Sequence, residues 1–124
     1  MREKTIADKM YLKSAKSLAV FNGAANPSIV AQLPPELLDE GEGASDVVLV
    51  FALNKVELEK YLAPALARLG EKGSLWVAYL KQSAPKATDL DRESVEAFVS
   101  GHGATSVALI SVDADWSGLR FKQL

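Results

Sequence analysis

The stretch DVVLVFAL, residues 46–53, decides the fold of this chain. It is apolar without interruption from Val47 to Leu53 and rich in β-branched residues, so the usual alternation of a half-exposed strand is missing. Such a run predicts a strand covered on both faces, which is typical of a parallel sheet with helices on either side. Two similar runs flank it, KSLAVFN at residues 16–22 and GSLWVAYL at residues 73–80. The sequence therefore predicts several buried strands separated by helices.

Helical patterns fill the intervals between these runs. Asn26 followed by Pro27 is a helix-start signal, and an apolar stripe continues to the prolines at residues 34–35. Asn54 with Glu57 resembles a capping box before leucines at helical spacing. A further helix is predicted with its cap at Asp91 or Thr88, and its inward residues are Val95, Phe98 and Val99.

The two ends of the chain and one middle segment complete the pattern. Ile6, Met10 and Leu12 indicate a short amphipathic helix near the N-terminus, and ELLDE at residues 36–40 is a candidate short strand. The last two apolar runs, 105–113 and 119–124, predict an antiparallel pair. Alternation of strands and helices predicts an α/β fold: a three-layer arrangement around a mostly parallel sheet of about five to six strands with an antiparallel C-terminal hairpin strand. We expect one domain over residues 1–124.

Composition excludes several classes of partner and site. The hydrophobic share of 48% and the charged share of 24% are those of a soluble globular protein, and a formal charge of −2 gives no bulk attraction to nucleic acid. The absence of cysteine excludes disulfides and thiolate metal sites, and the single histidine, His102, argues against a transition-metal site. We expect no metal, no nucleic-acid partner, no membrane span and a cytoplasmic location. No particular cofactor is indicated.

The strand-to-helix turn within residues 19–33 admits two interpretations. As a cofactor loop it would use Asn22, Gly23, Ala24 and Asn26, together with Asp39 or Glu40 as an acid for a ribose. As a structural turn it needs none of these contacts. Only Gly23 occupies the place of a fingerprint glycine, since alanines follow it, and this favours the structural turn.

Polar and aromatic side chains near predicted strand ends form a second candidate site. Ligands of open α/β sheets bind at the carboxyl ends of the strands. The residues of this set are Tyr79, Lys81, Asp89, Asp113, Trp116 and Arg120. The alternative interpretation is structural: Lys81 pairs with Asp89 to fix the long loop between them, and the aromatic residues belong to the core.

The last strand is expected to carry Trp116 and Arg120 on one face and Leu119 and Phe121 on the other. Arg120 is then a candidate for a cation–π contact with Trp116. The same face would alternatively bury Trp116 in a homodimer, and an edge strand here would offer unpaired backbone groups to a partner.

These elements resemble, across nearly the whole chain, a family of small bacterial proteins of unknown function with the Rossmann-like core of S-adenosylmethionine-dependent methyltransferases. The most specific part is Trp76-Val77-Ala78-Tyr79, then Lys81, Thr88-Asp89, Asp113, Trp116-Ser117 and Arg120. Leu80 stands where the family pattern has a proline. The resemblance implies the fold and a reversed last strand, and it implies no assigned reaction.

Two functions are compatible with the sequence. The first is a non-catalytic interaction or small-molecule-binding module on a reduced methyltransferase-like core, which the scarcity of loop glycines favours. The second is a small enzyme, a methyltransferase or a nucleotide-dependent transferase, which the turn at Gly23 and the polar strand ends favour. Whether the chain is an enzyme stays open at this point.

Overall fold

The computed structural model of the chain describes residues 5–10, 12, 15–38, 43–81 and 89–123. Within these ranges four helices and five strands alternate along the chain, except that the last two strands follow each other directly. In chain order they are α1 (Ile6–Lys9), β1 (Leu18–Phe21), α2 (Pro27–Val30), β2 (Ser45–Ala52), α3 (Lys55–Arg68), β3 (Leu69–Leu80), α4 (Arg92–Ser100), β4 (Ala104–Ser111) and β5 (Trp116–Gln123). Short 3₁₀ turns cover Gly23–Ala25 and Pro35–Leu37.

The strands form one five-stranded sheet in the order β1-β2-β3-β5-β4. β1 and β2 pair in parallel, as do β2 and β3, whereas β5 is antiparallel to both of its neighbours. Four of the five strands therefore share one direction and β5 alone is reversed. This confirms the predicted mostly parallel sheet with an antiparallel C-terminal strand. The alternative in which the last strand forms an open edge is not realised, because β5 inserts between β3 and β4.

The order of the strands reverses at β1. Beyond β1 the sheet is extended only by a parallel bridge between Leu18 and Leu38, so the candidate strand at residues 36–40 is reduced to one contact and a 3₁₀ turn within the described residues. Residues 39 and 40 lie outside the part described. The chain passes from β1 to Leu38 on one side and then to β2 on the other. In α/β sheets this arrangement makes a switch point, where a crevice opens between the carboxyl ends of the two strands.

Two hydrophobic cores cover the two faces of the sheet. Helices α3 and α4 bury one face through Leu58, Leu62, Val95 and Val99. On the other face, Ile6 of α1, Met10 directly after α1 and Ile29 of α2 pack with Trp76 and other apolar residues of the sheet. Of the residues in β2, only Asp46 is exposed, as an uninterrupted apolar run predicts. Among the described residues, the buried indole N–H of Trp76 has no hydrogen-bond partner.

Side-chain caps begin three of the helices as the sequence predicts. The side chains of Asn26, Asn54 and Asp91 accept from the backbone N–H groups of Ile29, Glu57 and Ser94. Helix α2 ends at Val30 and is shorter than predicted. The next backbone bonds, from Gln32 to Ile29 and from Leu33 to Val30, span three residues, which tightens the chain before the prolines.

No helix in the described part of the chain is long and apolar enough to span a membrane.

Shortly after α3, the backbone of β3 lies close to the backbone of β2. This close approach predicts how one added methyl group on β3 changes the stability of the protein. The pairing of β2 with β3 shifts register between Ser45 and Val47. A Cβ atom on Gly73 would lie 2.8 Å from the carbonyl oxygen of Asp46. We expect Gly73→Ala to lower the free energy of unfolding by about 1–3 kcal/mol, because the backbone of β2 must shift.

Gly43→Ala is the matched control, since a Cβ atom there meets nothing within 4 Å. It should change the free energy of unfolding by less than about 0.5 kcal/mol. Urea unfolding of both variants and the wild type measures the difference. Equal stability of the two variants would contradict the close approach.

Candidate functional site

Four segments meet at the carboxyl edge of the parallel strands. They are the turn after β1, the start of α3 after β2, Lys81 after β3, and the turn between β4 and β5. The reversed direction of β5 brings its first residue, Trp116, to this edge beside Leu80. Most of the sequence-predicted site residues therefore lie along one edge of the sheet, where ligands of this type of fold bind.

Asn22 bridges the crevice between β1 and β2. Its Nδ2 donates to the carbonyl oxygen of Phe51 at 2.9 Å and to Oε1 of Glu57 at 3.0 Å. Its backbone has φ 60° and ψ 36°, the only positive φ of a non-glycine residue in the described ranges. Asparagine tolerates this left-handed region better than most residues. We call this contact the Asn22–Glu57 bridge.

Glu57 is held as a preorganised carboxylate at the switch point. Its Oε1 accepts from the backbone N–H of Leu53 at 2.8 Å as well as from Asn22. Among the described residues, its Oε2 accepts no hydrogen bond and the carboxylate of this partly buried residue forms no ion pair. The sequence analysis treated Glu57 only as half of a capping box and missed this role. The available signal was a glutamate one turn beyond the end of the most buried strand.

Close packing explains why a glycine occupies position 23, in the turn after β1. A Cβ atom on Gly23 would lie 3.1 Å from Cγ2 of Val30 and 3.3 Å from Cγ1 of Val20. The glycine thus allows α2 to approach β1, as the helix-packing glycine of nucleotide-binding folds does. Ligand contact by Asn22, Gly23 or Ala24 remains a prediction. The acids proposed for a ribose, Asp39 and Glu40, lie outside the described residues.

Asn26 connects the first turn to the β4–β5 turn. Its Oδ1 caps α2, and its Nδ2 donates to Oδ2 of Asp113 at 3.1 Å. The other oxygen of Asp113 accepts from the backbone N–H groups of Asp115 and Trp116, both at 2.8 Å. The Asp113 carboxylate is therefore committed to holding the turn and joining it to α2.

Lys81 belongs to the same network, and its predicted pairing with Asp89 is wrong. Its Nζ donates to Oγ of Ser111 at 2.8 Å and to the carbonyl oxygen of Asp113 at 2.9 Å. Asp89 instead accepts from the backbone N–H of Lys55, at the start of α3, at 3.0 Å. The reversed strand explains the difference, because it brings the β4–β5 turn next to the end of β3. From α1, Lys9 donates to the carbonyl oxygen of Ser111.

The Tyr79 side chain lies on the face of the sheet that α3 and α4 cover, within the core on that side. Burial raises the pKa of its hydroxyl above the ordinary value, and the Arg92 charge and a hydrogen bond with Ser117 oppose that rise. At the start of α4, the hydrogen bonds from Ser94 lower the pKa of the exposed Asp91 carboxyl. These groups support α4 and are separate from the Lys81–Asp113 network.

Trp116 and Arg120 share a face of β5 as predicted, but Trp116 is not available to a partner. It is 6% exposed and its ring meets Phe51 edge-on at 5.6 Å. The predicted dimer contact through Trp116 is therefore wrong, because the core under α1 and α2 of the same chain covers it. From the middle of β5, Arg120 donates through Nε and Nη2 to Oγ of Ser74.

Two other features of the described residues bear on ligand binding. Within the described residues no group of three or more carboxylate and histidine side chains is arranged to hold a metal ion. A groove of about 440 Å³ lies between α3 and α4, with Leu58, Leu90, Ala97 and Phe98 in its wall and Lys55, Glu59 and Ser94 beside them. The exposed His102 stacks on Phe98 and contacts its carbonyl oxygen. Nothing in this arrangement assigns a proton-transfer role to His102.

The Asn22–Glu57 bridge predicts an order of stability for substitutions at Asn22. Alanine and glycine both remove the two side-chain hydrogen bonds, each worth about 0.5–1.5 kcal/mol. Glycine adopts a positive φ without penalty, whereas alanine does not. We expect Asn22→Ala to be less stable than Asn22→Gly by about 1 kcal/mol and both to be less stable than the wild type, as measured by urea unfolding. An alanine variant as stable as the glycine variant would contradict a left-handed backbone here.

A double-mutant cycle tests the partner of Lys81. We expect Lys81→Ala and Ser111→Ala to couple by about 0.5–1 kcal/mol, because each removes one end of the same hydrogen bond. Lys81→Ala with Asp89→Ala is the control cycle and should be additive. Coupling of Lys81 to Asp89, with no coupling to Ser111, would contradict the Lys81–Ser111 hydrogen bond.

Comparison with known proteins separates fold from function. No protein-family model matches the sequence, and no curated protein matches it. Solved structures do match. An O-methyltransferase family protein from Burkholderia thailandensis has a TM-score of 0.65 at 12% identity, over 95% of this chain and 54% of that one. The chain thus spans about half the length of that relative.

Two further methyltransferases cover more of their own length. The 1,6-didemethyltoxoflavin-N1-methyltransferase of Burkholderia thailandensis, solved with S-adenosylhomocysteine, gives a TM-score of 0.61 at 12% identity, over 92% of this chain and 73% of that one. The ribosomal protein L11 methylase of Lactobacillus delbrueckii subsp. bulgaricus gives 0.58 at 11%, over 95% and 74%. At such identities the likeness shows the fold, and the chain has a methyltransferase-like, Rossmann-like core.

Proposed function

We propose that this chain is a small-molecule-binding module on a methyltransferase-like core, with its ligand seat at the Asn22–Glu57 bridge. The observation that carries the proposal is the carboxylate of the partly buried Glu57 at the switch point, with Oε1 fixed by Leu53 and Asn22 and Oε2 without a hydrogen bond among the described residues. Oε2 is not fully buried, so it is open to a partner that donates a hydrogen bond to it.

The chemistry of this carboxylate indicates the class of ligand. An ionised glutamate only accepts hydrogen bonds, so the ligand must supply hydroxyl or amine donors. Ribose hydroxyls are such donors, and acidic side chains bind them in nucleotide-binding α/β folds. The left-handed backbone at Asn22 is a second mark of the seat, because backbone strain concentrates at binding sites. A nucleoside-type ligand is therefore our first choice.

The second candidate function is an S-adenosylmethionine-dependent methyltransferase. The observation that favours it is the similarity of the whole described core to methyltransferases, one of them solved with S-adenosylhomocysteine. Both candidates predict binding of an adenosyl compound. They differ in turnover, since only the enzyme converts S-adenosylmethionine to S-adenosylhomocysteine while an acceptor gains the methyl group.

The test is a thermal-shift titration of the purified chain with S-adenosylmethionine, S-adenosylhomocysteine, adenosine and NAD. A ligand that binds only the folded state adds about 2.7 kcal/mol of stability at a hundredfold excess over Kd. We expect at least one compound to raise the Tm of the wild type and to lose this effect in Glu57→Gln. The exposed Glu59 of the same helix provides the control, because Glu59→Gln should respond like the wild type.

The other possible results of the titration each contradict or replace part of the proposal. An equal response of Glu57→Gln and Glu59→Gln would contradict a seat at Glu57, and loss of response only in Glu59→Gln would move the ligand to the groove between α3 and α4. No response to any compound would reject a nucleoside-type ligand. Binding accompanied by methyl transfer from labelled S-adenosylmethionine into a cell-extract acceptor would establish the second candidate.

A further inference from the structure

β4 forms the open edge of the described sheet. It pairs with β5 on one side, and no described strand pairs with its other side. At the opposite end of the sheet, Leu38 bridges to the outer side of β1. The outer backbone of β4 therefore presents N–H and C=O groups to a partner, as edge strands do.

The side chains of β4 do little to discourage pairing. The strand ATSVALIS contains no charged residue and no proline, although edge strands of natural proteins commonly carry lysine or proline for protection. Val107 and Leu109 are 47% and 45% exposed, two of the four exposed large apolar side chains among the described residues. A register shift between Ser106 and Ala108 and the Lys9 contact to the Ser111 carbonyl are the protective features.

We propose that a second copy of this chain pairs with β4 in antiparallel fashion, so that two sheets join edge to edge. A twofold axis sets two copies of the same strand against each other, so a charged edge would repel itself. The neutral β4 has no such repulsion. Val107 and Leu109 lie on either side of Ala108, so pairing centred there sets Val107 of one copy opposite the partner's Leu109.

The size of the proposed β4–β4 contact limits the affinity of the dimer. Eight residues of strand extend over about 26 Å, and each copy contributes two large apolar side chains to the contact. Such a contact falls at the small end of specific interfaces, where association is weak and reversible. We expect a monomer–dimer equilibrium with a Kd in the micromolar range, independent of any ligand at Glu57.

Sedimentation velocity over a dilution series, from low micromolar to near-millimolar chain, tests the proposal. We expect Leu109→Lys to raise the dimer Kd at least about tenfold, because each copy then sets a charged ammonium in place of an apolar side chain against the partner's Val107. Val56→Lys is the matched control: Val56 is 72% exposed on α3, away from β4, and its substitution should leave the Kd unchanged. Circular dichroism confirms that each variant is folded.

A readout without substitution covers the case in which Leu109→Lys does not fold. Amide hydrogen exchange in residues 104–111 of the wild type should slow as the concentration rises through the dimer Kd. A wild type that is monomeric over the whole series overturns the proposal, as does a dimer that resists Leu109→Lys or shows unchanged exchange in β4. A monomeric wild type whose β4 is protected only by a strand of another protein also overturns it, in favour of that partner.

Discussion

Burial of β2 on both faces is the constraint on which the rest of the structure depends. A strand with one exposed residue in eight needs a neighbour on each side and a helical layer above and below. That requirement places α3 and α4 on one face and α1 and α2 on the other. It also removes polar chemistry from the faces of the sheet, so the polar side chains that could meet a ligand collect along the carboxyl edge.

Two hydrogen-bond networks lie along the carboxyl edge, and they differ in how many of their carboxylate oxygens have partners. Around Asp113, the carboxylate accepts three hydrogen bonds and the Lys81 ammonium reaches Ser111 and the Asp113 carbonyl. This network fastens the turn of the reversed hairpin to the end of β3 and to α2. Around Glu57, one carboxylate oxygen is fixed and the other has no described partner. The contrast makes the first network a structural clamp and leaves the second as the candidate ligand site.

The parts of the fold that could be predicted from sequence are those set by local pattern. Uninterrupted apolar runs identified β2 and β3, and the Asn26, Asn54 and Asp91 caps marked three helix starts. Each of these signals acts through neighbours in sequence or through burial of the element as a whole. Alternation along β5 likewise assigned Leu119 and Trp116 to opposite faces.

What could not be predicted depends on which elements become neighbours in space. Both hairpin strands have similar patterns, so the insertion of β5 between β3 and β4 is not encoded in either one alone. That insertion buries Trp116 and gives Lys81 its partner at Ser111, which lies 30 positions away. For the same reason, the candidate residues near strand ends were identified from sequence but their partners were not.

The Asn22–Glu57 bridge couples the candidate ligand seat to the stability of the sheet. Asn22 has a left-handed backbone conformation. Its side chain offsets the energetic cost of that conformation by donating hydrogen bonds to the β2 backbone and to Glu57. A group that orders Glu57 from the Oε2 side would strengthen the acceptor that Asn22 depends on, so occupancy and the junction of β1 with β2 would stabilise each other. Gly23 contributes by letting α2 pack against β1, which fixes the start of the same turn. The few glycines of this loop are thus consistent with a seat built from side chains, in which a carboxylate replaces the backbone cradle of glycine-rich nucleotide sites.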